Sequence, residues 1–498
     1  MRKRLMAIVM TLTLVIAMMP YSAFAGTYPV TSTTTGSITI NNAVNEDTFA
    51  AYKVVDITYD GDTNHLTYAF NAAFASYFSS LNPAVTIDDM ANLANESKAL
   101  NDLLSGLPEY IKTKNITPVK TGKVVGGTVK FTGLAMGEYL IIPTSTTSVY
   151  QLMLQKLEPQ VDNKVYVLTD VDVTAKKKEV GITKAADKTS VTKNEAVTYT
   201  ITADIPNYLL SAKKKTFKIV DTLEEGLTLQ QGTVEAKFSD GAPVAADMYD
   251  INKTARGFEF TVSNTQYNDT WQAKAAGNIQ LVITYKATLD DAATSDDVIA
   301  NFGTKENNKA DYTYVTYPFT TDAAKETKSA EVDVNSFIIK IDKYAKGDTS
   351  KKLDGATFSL YRTLRAGETT PTEDIPATGI IIKEQGILLE EGLTTNENGE
   401  IQFQKYEANG DNYDYYIVET KAPYGYNLLR NAIKVKFTDE NVSATQGIYT
   451  VPVENSTGFQ LPITGDTGTI LMSVIGLVLM GGAVVLLLLR KRKASRAK

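Results

Sequence analysis

The sequence predicts an all-β protein of three tandem β-sandwiches in an elongated rod, with a few helical insertions in the first sandwich. Short segments in which apolar and polar side chains alternate dominate residues 26–464, as in Val197–Thr202 and Ile279–Tyr285. Turns rich in Gly, Asn and Asp separate these segments, which is the pattern of strands. Many short strands at this spacing are typical of β-sandwiches. Helical periodicity is confined to a few places, chiefly Phe70–Leu104.

The composition limits the classes of function. The chain has 498 residues, 43% of them hydrophobic and 21% charged, so several folded domains are expected. A formal charge of −7 argues against nucleic acid as a partner. The chain has no Cys and one His, His65 in a loop-like segment, which argues against disulfides, His-rich metal sites and a Ser-His triad. We therefore expect no cofactor and no metal, and an enzyme is the least favoured class.

Two interruptions of the strand pattern predict the domain boundaries. The charged run Lys176–Glu179 is one, and the run of small and charged residues Ala323–Glu331 is the other. The predicted domains are 26–175, 176–331 and 332–458, between an N-terminal segment 1–25 and a C-terminal segment 459–498.

The first 25 residues have the three parts of a signal peptide. Arg2–Arg4 is basic, Leu5–Met19 is apolar, and small residues close the segment. The pattern predicts export, with cleavage between Ala25 and Gly26.

The C-terminal end carries a second membrane signal. Thr469–Leu489 is an uncharged apolar stretch of 21 residues, long enough to span a bilayer, and the basic run Arg490–Lys493 follows it. The alternatives are a permanent anchor and a transient one.

A pentapeptide upstream decides between these alternatives. It consists of Leu461, Pro462, Ile463, Thr464 and Gly465. With the apolar stretch and basic tail behind it, this end resembles the LPxTG cell-wall sorting signal. The resemblance implies that a sortase cysteine attacks the Thr464 carbonyl, releases the chain from Gly465 onward and passes the acyl group to an amine. Membrane insertion would then be transient. The internal copy Ile375–Gly379 has no apolar stretch behind it and is interpreted as a loop.

Three polar residues lie on apparent core faces of predicted strands in the last domain. They are Lys340, Glu419 and Asn455, and alternation places Lys340 with Ile338 and Val334. Burial of a lysine favours its neutral, nucleophilic form. The alternative is a partly buried ion pair with the Asn in a turn.

These segments resemble the collagen-adhesin B-type domain, an immunoglobulin-like β-sandwich. The lysine strand, the glutamate strand followed by Ala422–Tyr426, and the closing Val453–Asn455 match its pattern. The resemblance implies an intramolecular isopeptide bond from Lys340 to Asn455, with Glu419 as catalyst and ammonia as the leaving group.

The middle domain repeats the pattern with an aspartate. Alternation places Lys184, Asp221 and Asn308 on apolar faces. These segments resemble the second domain of fimbrial backbone proteins, which implies an isopeptide between Lys184 and Asn308 catalysed by Asp221. Lys188 and Asn307 are the nearest alternatives, and Asp221 could instead end a strand.

The first domain departs from this pattern. The strand Gly137–Pro143 has Ile142 where an acid is expected, and the opening strand Ser37–Asn41 has no lysine. We expect no isopeptide there.

A lysine lies at the predicted end of the first domain. Val171–Lys176 resembles the pilin motif, whose lysine joins one subunit to the next, although Thr174-Ala175 replaces Tyr-Pro and Val167 replaces an upstream Trp. The resemblance implies a link through Lys176; Lys177 and Lys178 adjoin it. The alternative is a solvated linker.

Taken together, the chain resembles the sortase-assembled backbone, or major, pilins of the SpaA type. The resemblance implies a structural subunit of a surface pilus on a Gram-positive bacterium. Its expected partners are a pilus-specific sortase, identical subunits, minor pilins and, after anchoring, peptidoglycan. The alternative is an ancillary pilin or a singly wall-anchored adhesin.

Overall fold

The computed structural model describes residues 27–93, 97–162, 164–224, 226–290, 308–370, 372–376, 385–409, 412–437, 447–458, 477–481 and 483. Strands predominate in this part of the chain and form several separate sheets. The predicted all-β, multidomain fold is therefore confirmed. The domain boundaries remain predictions, and the signal peptide lies outside the described residues.

The first region combines strands with four helices. Its elements are β1 (Thr27–Pro29), β2 (Thr35–Asn41), β3 (Thr48–Asp60), β4 (His65–Phe70), α1 (Ala75–Ser79), α2 (Ile87–Ala91), α3 (Lys98–Ser105), α4 (Leu107–Thr113), β5 (Lys120–Lys123), β6 (Val129–Ala135), β7 (Gly137–Ser145), β8 (Val149–Tyr150), β9 (Met153–Leu157), β10 (Gln160–Asp162), β11 (Val165–Thr169) and β12 (Val171–Thr174). The predicted helical region is thus present and continues to Thr113.

The strand β7 shows how this region is layered. It lies in the sheet β4-β3-β7-β9, and seven of its nine residues are buried. Tyr139 and Ile141 pack against the sheet β12-β2-β6, whereas Leu140 and Ile142 pack against the helices. A strand covered on both faces has a nearly continuous apolar sequence, which explains why alternation is weak here.

Two of the four helices in this region, α2 and α3, begin at side-chain caps. In α2 the Thr86 side chain accepts from Asp89 N, and the Asp89 side chain accepts from Thr86 N, which is a capping box. The Ser97 side chain caps α3 by accepting from Leu100 N.

The second region is a sandwich of two five-stranded sheets. Its elements are β13 (Lys177–Lys178), β14 (Ile182–Ala186), β15 (Ala196–Asp204), β16 (Phe217–Leu223), β17 (Leu227–Leu229), β18 (Glu235–Phe238), β19 (Asp250–Thr254), β20 (Gly257–Val262), α5 (Asp269–Ala276), β21 (Gln280–Leu289), β22 (Asn308–Val315) and β23 (Lys325–Glu331), with 3₁₀ turns at Gln231–Thr233 and Ala246–Met248. One sheet has the order β14-β15-β21-β17, with β18 also on β21, and the other has the order β19-β20-β16-β22-β23.

Alternation directs the core of this sandwich. In β15 the side chains of Val197, Tyr199 and Ile201 are buried, while the threonines between them are half-buried. Trp271, the single tryptophan, is fully buried from α5 and makes an edge contact with Phe217 at 5.3 Å between ring centroids. The core of this sandwich is therefore enclosed by both sheets and by α5.

The third region is a smaller sandwich. Its strands are β24 (Phe337–Ala345), β25 (Asp348–Lys352), β26 (Thr357–Arg362), β27 (Glu373–Asp374), β28 (Gln385–Thr394), β29 (Glu400–Tyr406), β30 (Tyr415–Lys421), β31 (Ile433–Val435) and β32 (Ile448–Asn455). One sheet has the order β25-β24-β29, with β32 parallel to β24, and the other has the order β27-β28-β26-β30-β31. The first and last strands of the region are therefore hydrogen-bonded neighbours.

The first two regions share contacts across the predicted boundary at residue 175. The strand β13 pairs with β8, so that Lys177 lies opposite Tyr150. Ala212 and Phe319 of the second region are buried among the helices of the first.

The second and third regions are joined by backbone hydrogen bonds and an ion pair. Asn335 N donates to Thr189 O, and Val191 N donates to Asn335 O, each at 2.9 Å. Arg365 of the third region pairs with Glu195 of the second at 2.8 Å. The link between these regions is therefore held by more than the covalent chain.

Candidate crosslinking sites

A buried cluster of Lys343, Glu419 and Asn455 lies in the third sandwich. Lys343 Nζ donates to Asn455 Oδ1 at 2.5 Å and lies 3.8 Å from Glu419 Oε1. Asn455 Nδ2 donates to both carboxylate oxygens of Glu419, at 2.8 and 3.0 Å. The side chains of Lys343 and Glu419 have no exposed surface, and Asn455 is 1% exposed. An amine, an amide and an acid therefore lie together, shielded from bulk solvent.

The sandwich places each member of this cluster. Lys343 and Asn455 come from the parallel neighbours β24 and β32, and Glu419 comes from β30 in the opposite sheet. Leu429 N donates to Glu419 Oε2 at 2.8 Å, and Asn455 Nδ2 also donates to Asn427 O at 2.9 Å. These backbone contacts orient the carboxylate and the amide.

The prediction that Lys340 lies beside Asn455 was wrong. Lys340 points away from the core and forms an ion pair with Glu400 at 2.9 Å. The beginning of β24 misleads because the three residues Phe337–Ile339 are all buried and conceal the alternation. Ile338, which shares a face with Lys340, is buried outside the core cluster that contains Phe337, Ile339 and Ile341. From Ile341 onward the alternation is clear. It places Lys343, which is three residues after Lys340, on the core face.

Burial sets the chemistry of the Lys343 amine. Desolvation lowers the pKa of Lys343 to about 8, since the charged form loses its hydration, although the nearby Glu419 acts in the opposite direction. A larger fraction of this amine than of an exposed lysine is therefore neutral near physiological pH, and only a neutral amine has the lone pair needed to attack a carbonyl carbon.

A second cluster lies in the middle sandwich and contains the three residues that the sequence indicated. Lys184 Nζ donates to Asp221 Oδ2 and to Asn308 Oδ1. Lys184 comes from β14 in one sheet, and Asp221 and Asn308 come from β16 and β22 in the other. The side chains of Lys184 and Asp221 have no exposed surface. This cluster therefore bridges the two sheets.

Tyrosine rings enclose the second cluster. The Lys184 amine lies 5.7 Å from the ring centres of both Tyr199 and Tyr285. Tyr285 Oη donates to Asp221 Oδ1 at 2.9 Å and accepts from Asn308 Nδ2 at 3.2 Å. Tyr285 was not among the residues predicted from the sequence, because a buried tyrosine in a strand ordinarily indicates only core packing.

Desolvation acts on both charged members of the second cluster. It lowers the pKa of Lys184 to about 8 and raises the pKa of Asp221, so each group is displaced toward its neutral form. Of the alternatives, Lys188 lies 3.9 Å from Glu195, outside the cluster, and Asn307 lies outside the described residues.

The first region departs from the lysine–acid–asparagine pattern, and the residues responsible lie in its core. Ile142, where an acid was expected, is buried among the helices. The buried acid of the same strand is Glu138, which forms an ion pair with Lys156 at 2.9 Å. The absence of an isopeptide in this region remains a prediction.

Comparison with known families assigns most of the chain. Residues 193–316 match the model described as Gram-positive pilin backbone subunit 2, Cna-B-like domain. Residues 337–449 match the SpaA prealbumin-like fold domain, and residues 453–495 match the LPXTG cell wall anchor motif. Over these ranges the chain carries domains of Gram-positive backbone pilins, which supports a backbone pilin.

Two fimbrial relatives agree with these matches, one of them along most of the chain. The pilin is 25% identical to a fimbrial subunit type 1 of Actinomyces viscosus over 433 residues, 80% of this chain and 81% of the relative. It is 26% identical to a fimbrial subunit type 2 of Actinomyces naeslundii over 175 residues, 32% of each chain. The anchor motif and these relatives place the pilin on the cell wall, in a surface pilus of a Gram-positive bacterium.

Solved structures share the fold. The T6 backbone pilin of Streptococcus pyogenes has a TM-score of 0.57 at 18% identity, over 82% of this chain and 81% of that one. The major pilin SpaD of Corynebacterium diphtheriae has a TM-score of 0.52 at 20% identity, over 86% and 99%. The family and the fold are those of structural subunits.

Several predicted features of the pilin lie outside the described residues. They are Leu461, Pro462, Ile463, Thr464 and Gly465 of the anchor motif, the cleavage site at Ala25 and Gly26, and the end of the internal copy from Ala377 to Gly379. None of the helices in the described ranges is long and apolar enough to cross a membrane. Those ranges also contain no group of three or more acidic or histidine side chains arranged for a metal.

The three candidate linking lysines of the pilin differ in their surroundings. Lys176 is exposed between β12 and β13. Lys177 is half-buried and pairs with Glu179 at 2.9 Å, while Lys178 donates to Asn278 at 2.6 Å. Among the three, Lys176 presents its side chain most openly to solvent.

Proposed function

We propose that this pilin is the repeating subunit of a covalent pilus shaft that a sortase assembles. The enzyme forms an acyl intermediate at Thr464 of one subunit, and the Lys176 amine of the next subunit displaces it. The two ends of each link come from different surfaces, so the contact is heterologous and the product is an open fibre of identical subunits. The subunit is exported, with cleavage after Ala25. It is not an enzyme that acts on other substrates. Minor pilins and peptidoglycan accept the acyl groups that are not passed to another subunit.

The order of features along the chain carries this proposal. An exposed lysine comes first, at Lys176. Two fully buried lysine–acid–asparagine clusters follow, with Lys184 and Lys343 as their amines. The anchor motif comes last, in the matched segment 453–495. A pulling force that enters at Lys176 and leaves at Thr464 therefore passes through both clusters, whereas the first region lies off that path.

The surroundings of Lys176 support its role as the acceptor. It borders an open cleft of about 500 Å³, which is also lined by Thr174, Glu138 and Leu152. An amine that attacks an acyl-enzyme needs room for the enzyme and the sorting peptide, and this cleft offers room beside the amine. Lys177 and Lys178 are half-buried, whereas Lys176 is exposed, so the Lys176 amine is the most accessible of the three.

The two buried clusters support intramolecular isopeptide bonds. In the third sandwich, neutral Lys343 attacks the Asn455 side-chain carbonyl carbon. A lysine proton passes by way of Glu419 to the amide nitrogen, which leaves as ammonia. In the middle sandwich, Lys184 attacks Asn308 in the same way, with Asp221 as the acid. Each bond joins strands that are otherwise held only by hydrogen bonds and packing.

Replacing Thr464 with alanine tests the polymerisation. We expect an antibody blot of wild-type cell-wall extract to show a ladder of boiling-resistant multimers. Thr464→Ala should abolish both the ladder and covalent wall attachment, because the acyl group comes from this residue. The matched control is Thr378→Ala in the internal IPATG copy, which should leave both unchanged. A single monomer band in the wild type would instead indicate a singly anchored adhesin.

Intact-mass measurement tests the reassigned lysine. The full chain is expected to weigh less than its sequence mass, beyond removal of the signal peptide, by two ammonia molecules. Lys343→Met should lose only one ammonia, because methionine occupies a similar volume but has no amine to attack Asn455. The matched control Lys340→Met lies on the same strand and should still lose both. Loss of one ammonia in Lys340→Met but not in Lys343→Met would return the bond to Lys340.

A further inference from the structure

We propose that Tyr285 is a catalytic residue of the middle cluster and that its phenol relays a proton from Asp221 to the departing amide nitrogen of Asn308. The inference rests on the crosslink proposed above and assigns one step of its chemistry. It arises from a difference between the two clusters of this chain.

The difference is the reach of the acid. In the third sandwich, both oxygens of Glu419 contact Asn455 Nδ2, at 2.8 and 3.0 Å. The acid there can protonate the leaving nitrogen directly. Asp221 is one methylene shorter, and one of its oxygens, Oδ2, already contacts the Lys184 amine. Its other oxygen contacts the Tyr285 hydroxyl.

Tyr285 spans the remaining distance. Its hydroxyl is 2.9 Å from Asp221 Oδ1 on one side and 3.2 Å from Asn308 Nδ2 on the other. The ring is fixed in place, since it stacks on Tyr199 at 5.3 Å and meets Phe258 edge-on at 5.3 Å between ring centroids. Burial raises the pKa of Tyr285, so the phenol keeps its proton and can donate it.

The step balances without an external reagent. Asp221, whose pKa burial raises, starts neutral with its proton on Oδ1. As the Lys184 nitrogen bonds to the Asn308 carbonyl carbon and gives a proton to Asp221 Oδ2, the Oδ1 proton moves to the Tyr285 oxygen and the Tyr285 proton moves to Asn308 Nδ2. The bond from carbon to Nδ2 then breaks, ammonia leaves, and Asp221 and Tyr285 are again neutral.

The substitution Tyr285→Phe removes the relay and keeps the ring. The full chain is made by cell-free synthesis, and its mass is followed with time. General acid catalysis contributes about 10²–10⁴ in rate. In this variant we therefore expect the ammonia of the middle cluster to leave more slowly by a factor of about 100 or more. The bond between Lys343 and Asn455 forms in the same molecule and serves as an internal clock. The fluorescence of Trp271, buried in the same sandwich, reports whether that sandwich has folded.

A matched control separates the relay from packing. Tyr312 is a buried tyrosine of the same sandwich whose hydroxyl donates to Asp204 O at 2.7 Å, away from the cluster. Tyr312→Phe should close both bonds at the wild-type rate. If Tyr285→Phe also does so, the proposal is overturned. If the wild type loses no ammonia, the crosslinks themselves fail, which is a different result.

Two further variants test the relay by other means. In the double variant Asp221→Glu/Tyr285→Phe the longer acid is expected to reach Asn308 Nδ2 as Glu419 reaches Asn455. The isopeptide bond should then form at least about ten times faster than in Tyr285→Phe alone. Difluorotyrosine at position 285 keeps the ring and the hydroxyl but makes the phenol more acidic. It should change the closing rate, whereas the same replacement at position 312 should not. An unchanged rate with difluorotyrosine at 285 contradicts the relay even if Tyr285→Phe does not fold.

Discussion

Replacing Lys176 with arginine is expected to abolish the ladder of boiling-resistant multimers and to leave monomers that still reach the cell wall through Thr464. A guanidinium group keeps its charge at all physiological pH values, so arginine has no free lone pair with which to attack an acyl-enzyme. Because Lys176 is exposed beside an open cleft, arginine can occupy the same position without disturbing the core. The blot of cell-wall extract used for Thr464 measures the result.

The neighbouring lysines provide the matched controls. Lys177→Arg and Lys178→Arg each preserve a cation that can keep its contact with Glu179 or Asn278, so the ladder should persist in both. A full ladder in Lys176→Arg that disappears in one of the other two variants would move the link to that lysine. A ladder that survives replacement of all three lysines would rule out this mechanism of polymerisation.

Replacing Glu419 with glutamine is expected to leave the third sandwich without its crosslink. Glutamine has nearly the volume of glutamate and can still accept hydrogen bonds, but it cannot shuttle a proton. The lost bond closes a loop of 112 residues, between Lys343 and Asn455, and such a crosslink is worth about 4–5 kcal/mol in the loop-entropy model. The variant should therefore melt at a lower temperature and retain one ammonia.

The effect of this substitution under tension is larger. Pulled through its ends, the wild-type third sandwich should not unfold, because force passes from β24 to β32 through the covalent bond. In Glu419→Gln the 112 residues are released and extend by at most about 370–400 Å. Single-molecule stretching of the full chain measures this step. The control Glu454→Gln alters an exposed carboxylate of β32 and should show no such step; an equal step in the wild type would contradict the crosslink.

Alternation was sufficient to predict the middle cluster but not the third. In β14 and β16 more buried and less buried positions alternate along the whole strand, so Lys184 and Asp221 could be placed on core faces by counting from Ile182 and from Phe217 and Ile219. In β24 three consecutive buried residues precede the lysines, and Ile338 indicates the wrong face because it is buried outside the core cluster that contains Phe337, Ile339 and Ile341. The pattern Ile341-Asp342-Lys343 held the correct signal further along the strand.

Other features depend on contacts that no local pattern encodes. The role proposed for Tyr285 depends on the position of its hydroxyl between two side chains from the opposite sheet. The pairing of β13 with β8 joins segments on both sides of the charged run Lys176–Glu179, where composition alone indicated a linker. Periodicity predicts which face a residue occupies, whereas the partners across a sandwich follow from the register of strands distant in sequence.

The edge hairpin β22–β23 gives the shaft a place where it can yield. With both crosslinks formed, the path of load passes directly from Lys184 to Asn308 and from Lys343 to Asn455, and between the two crosslinks it follows the backbone. The edge strand β23 pairs with β22 alone, whereas β22 also pairs with β16, so tension would detach β23 first, one hydrogen bond at a time from the end where Lys309 pairs with Glu331. The segment from Val315 to Phe337 that this frees spans at most about 70–80 Å, and it shortens again when β23 re-pairs. A fibre of such subunits would absorb a sudden pull as a chain of reversible springs while its covalent joints stay intact.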